Sequence, residues 1–182
     1  MRRYLLTGAP GAGKTTVLGL LAAAGHTVIP EAATDLIEAA QAAGDDAPWE
    51  RPDFTERTAA LQRDRQIAAN TRPGPVQWFD RSPVCALALA RFTGTPVGPV
   101  LTAELDRIKA EAVYRPTAFL FDLLGFIEAT AVRRIGIDEA RRFEHVHVDA
   151  YTEHGYTLVR IPALAPAERL AALLAHTAND TP

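Results

Sequence analysis

The chain has 182 residues, of which 48% are hydrophobic and 23% charged, which is the composition of an ordinary globular domain. Its net charge of −3 gives no electrostatic reason to expect nucleic acid as a partner. A single cysteine, Cys85, excludes an intramolecular disulfide and a cysteine-based metal cluster. No signal peptide opens the chain and no apolar run is long enough to span a membrane, so we expect a cytoplasmic protein.

Short apolar runs alternate with helical patterns along the chain. In chain order, the strand-like runs are residues 3–8, 26–30, 76–80, 117–124 and 156–162, and the helical patterns are residues 14–24, 31–43, 54–70, 85–92, 101–114, 138–153 and 166–176. Strands separated by helices form parallel βαβ units. The sequence therefore predicts an α/β protein with a parallel sheet of about five strands and helices on both faces.

Two further predictions concern packing and domain organisation. In the helix over residues 54–70, Phe54, Leu61 and Ile67 are the expected core contacts. Residues 44–53 contain two prolines and several acids, which favours an exposed, mobile loop. No internal repeat or linker divides the chain, so we expect one domain over residues 1–176 and a frayed tail over residues 177–182.

A glycine-rich segment joins the first strand to the first helix. Residues 8–15 read G-A-P-G-A-G-K-T, which matches the phosphate-loop pattern G-x-x-x-x-G-K-T. Glycines let backbone N–H groups turn around an anion, and the following helix adds its positive end. Lys14 is expected to reach the β- and γ-phosphates, and the Thr15 hydroxyl to bind Mg²⁺. The predicted nucleotide contacts are Gly8, Ala9, Pro10, Gly11, Ala12, Gly13, Lys14, Thr15 and Thr16.

Two acids end hydrophobic strands and are candidates for the magnesium side of the site. Asp80 closes "VQWFD" and is followed by Arg81, whereas Asp122 closes "FLFD" and forms D-x-x-G with Gly125. Switch GTPases carry D-x-x-G, but they need N-K-x-D or T-K-x-D further along, and neither occurs here. Asp122 is therefore disfavoured as a GTPase element, and ATP is favoured over GTP.

Glu31 follows the second strand, at the edge where parallel sheets place their ligands. A carboxylate there could take the proton from an acceptor hydroxyl that attacks a γ-phosphate. The alternative is a glutamate in the first turn of a helix, where it interacts favourably with the helix dipole. The position of Glu31 alone leaves both interpretations open.

Four segments carry a resemblance to a known family: "TGAPGAGKTT", "VIPEAATDLI", "WFDRSP" and "GYTLVRIP". They resemble small P-loop "AAA-domain" NTPases related to the nicotinamide riboside kinase domain of NadR. The order of the acids is also similar to that of deoxynucleoside kinases. The resemblance implies a three-layer P-loop NTPase fold with a helical lid. It implies that Glu31 is the general base, Asp80 the acid beside Mg²⁺, and Arg81 a phosphate or acceptor contact. Many relatives carry Arg where this chain has Thr34, followed here by Asp35, so a neutral or cationic acceptor is expected.

Residues 129–153 are the lid that this resemblance implies. Phosphoryl transfer needs cations where charge develops on the γ-phosphate, and arginines of a lid can supply them. We predict this role for Arg134 and Arg141, since helical spacing lets only one of Arg141 and Arg142 face inward. The alternative is a solvated, charged helix in which Asp138 pairs with Arg142.

The segment "HVHVD" within this region contains His145, His147 and Asp149. In a helix, His145 and Asp149 share a face and His147 turns away from them. This spacing disfavours a metal site and favours a polar helix surface.

Together these observations predict an ATP- and Mg²⁺-dependent phosphotransferase that moves the γ-phosphate to a hydroxyl of a small, possibly nucleoside-like molecule. The alternative is a regulatory NTPase that binds ATP or GTP and signals to a partner or a lipid. A large ring-forming ATPase is disfavoured, because Asp80-Arg81 differs from the usual Asp-Glu pair of such machines.

Overall fold

The alternating strands and helices build one parallel sheet. The computed structural model describes residues 1–124 and 136–178, and within them five strands form the sheet: β1 (Arg2–Thr7), β2 (Thr27–Ile29), β3 (Val76–Asp80), β4 (Thr117–Phe121) and β5 (Thr157–Ile161). Their order across the sheet is β2-β3-β1-β4-β5, and every neighbouring pair is parallel. The fold predicted from the alternating pattern is confirmed.

The helices connect these strands and cover the sheet. They are α1 (Lys14–Ala23), α2 (Ala32–Ala42), α3 (Phe54–Ala68), α4 (Pro83–Thr93), α5 (Pro99–Ala110), α6 (Ile137–Glu153) and α7 (Pro166–Ala178), with short 3-10 helices at Pro48–Glu50 and Ala69–Thr71. Over the described residues, none of these helices is both long and apolar enough to cross a membrane.

Two hydrophobic cores lie on opposite faces of the sheet, because successive residues of a strand point in opposite directions. On β1, Leu5 packs into the core beneath α3, α4, α5 and α6. Its neighbours Tyr4 and Leu6 pack into the core beneath α1 and α7, where the Tyr4 and Trp78 rings stack with centroids 5.1 Å apart. The sheet is thus the middle of three layers.

Helix α3 departs from the predicted packing. Phe54 is buried as expected, but Ile67 is 50% exposed, so its prediction as a core contact is wrong. The buried side of α3 instead carries four polar side chains, Thr55, Thr58, Gln62 and Gln66. Of these, Gln66 bonds to a neighbouring helix, because its side-chain oxygen accepts a hydrogen bond from Arg107 of α5 at 2.7 Å. Gln62 and Gln66 therefore lie on the buried face to which apolar spacing assigned isoleucine, and the side chain of Gln62 has no hydrogen-bond partner among the described residues.

Some predicted features lie partly or wholly outside the described residues. Gly125 of the D-x-x-G pattern, Arg134 and residues 129–135 of the predicted lid fall there, as do the last four residues of the chain. The rest of the predicted lid is α6, which packs on α4 and β5 and buries Phe143 and Tyr151. The loop over residues 44–53 contains the short helix Pro48–Glu50, whose first residue is buried.

Candidate functional site

The glycine-rich loop runs from the carboxyl end of β1 to the first turn of α1. Gly8 has φ +131°, and a Cβ atom there would lie 2.7 Å from the carbonyl oxygen of Phe121, so a glycine is required. Gly13 has φ +75° and leads into α1, whose first turn has free N–H groups. Thr15 and Thr16 are exposed on that turn. A strand, a glycine-rich loop and a helix are the setting in which a phosphate loop works.

Lys14 curls back over this loop. Its side chain is buried, and its Nζ atom donates hydrogen bonds to the carbonyl oxygens of Gly8 at 3.0 Å and Ala9 at 3.3 Å. Burial and the charge of Arg81 lower the pKa of Lys14 to about 8, against the opposing pull of nearby carboxylates. Lys14 therefore keeps its positive charge at neutral pH.

Asp80 lies at the end of β3, directly beside β1. It pairs in register with Leu6, and the backbone N–H of Arg81 donates to the Leu6 carbonyl oxygen at 2.9 Å. Asp80 is 7% exposed, and its Oδ1 atom has no hydrogen-bond partner among the described residues. Burial, reinforced by the negative charge of Glu31, raises the pKa of Asp80 to about 6. A buried carboxylate oxygen without a partner is a group that a bound cation would satisfy.

The residues present fit a Mg²⁺ ion. The Asp80 carboxylate and the Thr15 hydroxyl are hard oxygen ligands, and Mg²⁺ at phosphate sites is held by few protein oxygens together with the phosphates. Among the residues that the structure describes, no group of three or more His, Cys, Asp and Glu could hold a metal alone.

Glu31 and Arg81 form an ion pair between the ends of β2 and β3. Arg81 Nε lies 2.5 Å from Glu31 Oε1, and the Thr34 hydroxyl donates to Glu31 Oε2 at 3.2 Å. Burial alone would raise the pKa of Glu31, but Arg81, Lys14 and the Thr34 hydrogen bond together lower it. Arg81 itself has φ 70°, a left-handed backbone that a residue with a side chain adopts at a cost of about 1–3 kcal/mol.

Arg81 also contacts α6 through His147. Arg81 Nη1 lies 3.3 Å from His147 Nε2, and His147 Nδ1 lies 2.9 Å from the carbonyl oxygen of Phe143. The Nδ1 atom must donate to that carbonyl, so Nε2 is free to accept from Arg81. His147 is fully buried, so its prediction on a polar helix surface is wrong. Phe143 and Tyr151 flank it at four-residue spacing, which was the signal that this face of α6 is buried.

Arg65 on α3 fixes the chain at Glu31, a role that the sequence did not indicate. Its Nη1 atom donates to the carbonyl oxygens of Pro30 at 3.1 Å and Glu31 at 2.7 Å. Its Nη2 atom is ion-paired with Asp35. Asp35, which the sequence offered as an acceptor contact, is therefore bonded to a neighbouring helix.

The structure does not bring every predicted residue to this cluster. Arg141 is exposed, and it pairs with Asp138 at 3.1 Å in place of the expected pair between Asp138 and Arg142. The Asp122 carboxylate pairs with Arg160 at 2.5 Å. Because Arg134 lies outside the described residues, the roles of Arg134 and Arg141 at the γ-phosphate stay predictions.

Comparison with known protein families gives this geometry a context. A family model described as "AAA domain" matches residues 3–169, from β1 into α7. The chain belongs to this AAA-domain family. A comparison with curated proteins found no match. P-loop domains of the AAA type generally bind nucleotide together with Mg²⁺. Because residues 8–15 form such a loop, this AAA-domain protein is expected to have a nucleotide-dependent activity.

Proposed function

We propose that this AAA-domain protein is an ATP- and Mg²⁺-dependent phosphotransferase whose acceptor is a hydroxyl group of a small molecule. The observation that carries the proposal is the position of Glu31. Its carboxylate is held by Arg81 and Thr34 at the carboxyl edge of the sheet, close enough to Lys14 for the two charges to shift each other's pKa. A carboxylate at this place serves an acceptor that must lose a proton. The resemblance to NadR-related and deoxynucleoside kinases supports the same role.

In this mechanism the chain's own residues bind, orient and take up a proton. The loop N–H groups and Lys14 bind the phosphates of ATP. Mg²⁺, held by Thr15 and Asp80, would neutralise charge on the phosphates when bound. Glu31 accepts the acceptor's hydroxyl proton. The oxygen then forms a bond to the γ-phosphorus, and the bond from that phosphorus to the β,γ-bridging oxygen breaks, so its electron pair leaves with ADP.

The surroundings of Glu31 favour a neutral acceptor. Thr34 already donates to Glu31, and Asp35 is ion-paired with Arg65, so neither side chain is free to bind a cation. Arg81 is likewise neutralised by Glu31, which removes its attraction for an anionic acceptor. Nucleosides, together with those vitamins and hydroxylated antibiotics that carry little net charge, have suitable hydroxyl groups and form the first screen.

The proposal is tested by γ-phosphate transfer from ATP to these compounds, first with the wild-type chain and then with Glu31→Gln. General base catalysis contributes about 10²–10⁴-fold, so we expect a loss of at least about 100-fold in kcat with MgADP binding kept. Glu38→Gln, an exposed glutamate on α2, is the matched control and should retain full activity. Full transfer activity in Glu31→Gln would show that Glu31 is not the base.

The same assay separates a phosphotransferase from a regulatory NTPase. A phosphotransferase hydrolyses ATP slowly until an acceptor is present, whereas a regulator shows no acceptor-dependent turnover and changes its partner affinity between di- and triphosphate states. Calorimetry with ATP and GTP tests the nucleotide. Since no guanine-specific motif follows Asp122, exclusive binding of GTP would contradict the choice of ATP.

A further inference from the structure

Arg169 of α7 lies beneath the phosphate loop and is 2% exposed. Its Nη1 atom donates to the carbonyl oxygen of Ala12 at 2.5 Å. Its Nη2 atom donates to the carbonyl oxygens of Asp122 at 3.0 Å and Ile161 at 3.3 Å. The guanidinium also lies 4.7 Å from the centre of the Phe121 ring. One side chain thus ties the loop to the ends of β4 and β5 and to α7.

Among the residues that the structure describes, the buried charge of Arg169 has no anionic partner at contact distance. Its hydrogen bonds among the described residues go to backbone carbonyls, and its Nε atom is buried with no partner there. The nearby Asp122 carboxylate is instead paired with Arg160. Burying a cation in this way is unfavourable unless an anion compensates it. The anion that belongs next to this loop is the phosphate chain of a nucleotide.

The contact also sets the direction of one loop amide. In a trans peptide the C=O and the N–H point in opposite directions, and the described residues contain no cis peptide. Because the Ala12 carbonyl points at Arg169, the N–H of Gly13 points away from it, toward the other side of the loop. A Cβ atom on Gly13 would lie 2.9 Å from Arg169 Nη1, so the loop rests directly on the guanidinium.

We propose that Arg169 is a positioning residue for nucleotide binding: it holds the Ala12–Gly13 peptide so that the Gly13 N–H donates to a phosphate, and its buried charge strengthens the binding of the anion. The inference rests on the nucleotide-binding part of the proposed function, and it adds a residue from the far end of the chain. The guanidinium acts through the loop backbone and needs no contact with the phosphate.

The test compares Arg169→Met and Arg169→Lys with the wild-type chain. Calorimetry gives the Kd for MgADP, and ¹⁵N–¹H spectra give the shift of the Gly13 amide when MgADP is added. Loss of a charged hydrogen bond weakens binding by about 10- to 100-fold, so we expect that loss in Arg169→Met, a smaller one in Arg169→Lys, and a reduced Gly13 shift in both. Arg91→Met is the matched control, because Arg91 is an exposed arginine at the end of α4 that pairs with Glu153, and its Kd should equal the wild-type value.

The outcomes distinguish this inference from the proposed function. An unchanged Kd and Gly13 shift in a folded Arg169→Met chain would overturn the inference. If circular dichroism shows that Arg169→Met does not fold, Arg169→Lys decides by the same two measurements. Wild-type protein that binds no MgADP would overturn both proposals. Binding of MgADP without transfer to any acceptor would overturn the phosphotransferase alone.

Discussion

Replacing Asp80 with Asn is expected to raise the free energy of unfolding while it removes the proposed magnesium ligand. Asp80 is buried, and its Oδ1 atom has no hydrogen-bond partner among the described residues. Burial raises the pKa of Asp80, and the negative charge of Glu31 raises it further. Asn has nearly the same shape and no charge, so it relieves the unfavourable burial of a carboxylate. Active sites commonly trade stability for function in this way.

The magnitude follows from the pKa of Asp80, which rises from 3.8 to about 6 in the folded chain. Because the folded state holds the proton more tightly, this carboxyl destabilises the protein progressively as the pH rises from 3.8 to about 6. Above that range the penalty is constant at about 3 kcal/mol. We therefore expect Asp80→Asn to be more stable than wild type by about 1–3 kcal/mol at pH 7, and by close to nothing at pH 4.

The assay is urea unfolding followed by circular dichroism between pH 4 and pH 7.5, in EDTA and without nucleotide. Asp46→Asn, an exposed aspartate, is the control and should match wild type across the range. Adding Mg²⁺ and ADP should reduce or reverse the difference in free energy of unfolding between Asp80→Asn and wild type. The reason is that a ligand stabilises most the variant that binds it most tightly. A variant that is less stable than wild type at pH 7, or a difference that does not change with pH, would refute the reasoning.

Two further predictions concern the charges of the site. Thr34→Val removes the hydrogen bond to Glu31, and this change raises the pKa of Glu31. The acidic limb of the pH profile of kcat/KM for transfer should therefore move to higher pH. An unmoved limb would mean that Thr34 does not lower the pKa of the base. Lys14 has a pKa of about 8, so the affinity for MgADP measured by calorimetry should be constant below pH 8 and fall about tenfold per pH unit above it. An affinity that stays constant up to pH 9.5 would contradict the proposed role of Lys14 as the cation that binds the phosphates.

The fold could be predicted because its signals are local. Each strand is an apolar run that ends at a turn residue, and each helix has its own periodicity, so strand β1 was expected at residues 3–8 and is Arg2–Thr7. Helix α6 was expected at residues 138–153 and is Ile137–Glu153. The phosphate loop was equally accessible, because its glycines, lysine and threonine are adjacent in the chain and need no tertiary information.

The supporting residues of the site were not predictable in the same way. Arg169 bonds to Ala12 across 157 positions of sequence, and Arg81 meets His147 across 66. Helical spacing does show that Arg169 shares a face with the buried Leu173, one turn further along α7. It cannot show that a loop carbonyl is the partner, because that requires the packing of α7 against α1 and the sheet.

The charges of the proposed site are complementary in sign to those of a magnesium–nucleotide complex. Asp80 is a buried carboxylate on the proposed magnesium side, with one oxygen that has no partner among the described residues, and Arg169 is a buried cation beneath the phosphate loop. Arg81, by contrast, is already neutralised by Glu31, so it adds little attraction for phosphate while that pair is intact. It follows that Glu31→Gln frees the charge of Arg81. This variant should therefore bind MgADP at least as tightly as wild type although it has lost transfer, which is the opposite of the weakened binding expected when Arg169 is replaced.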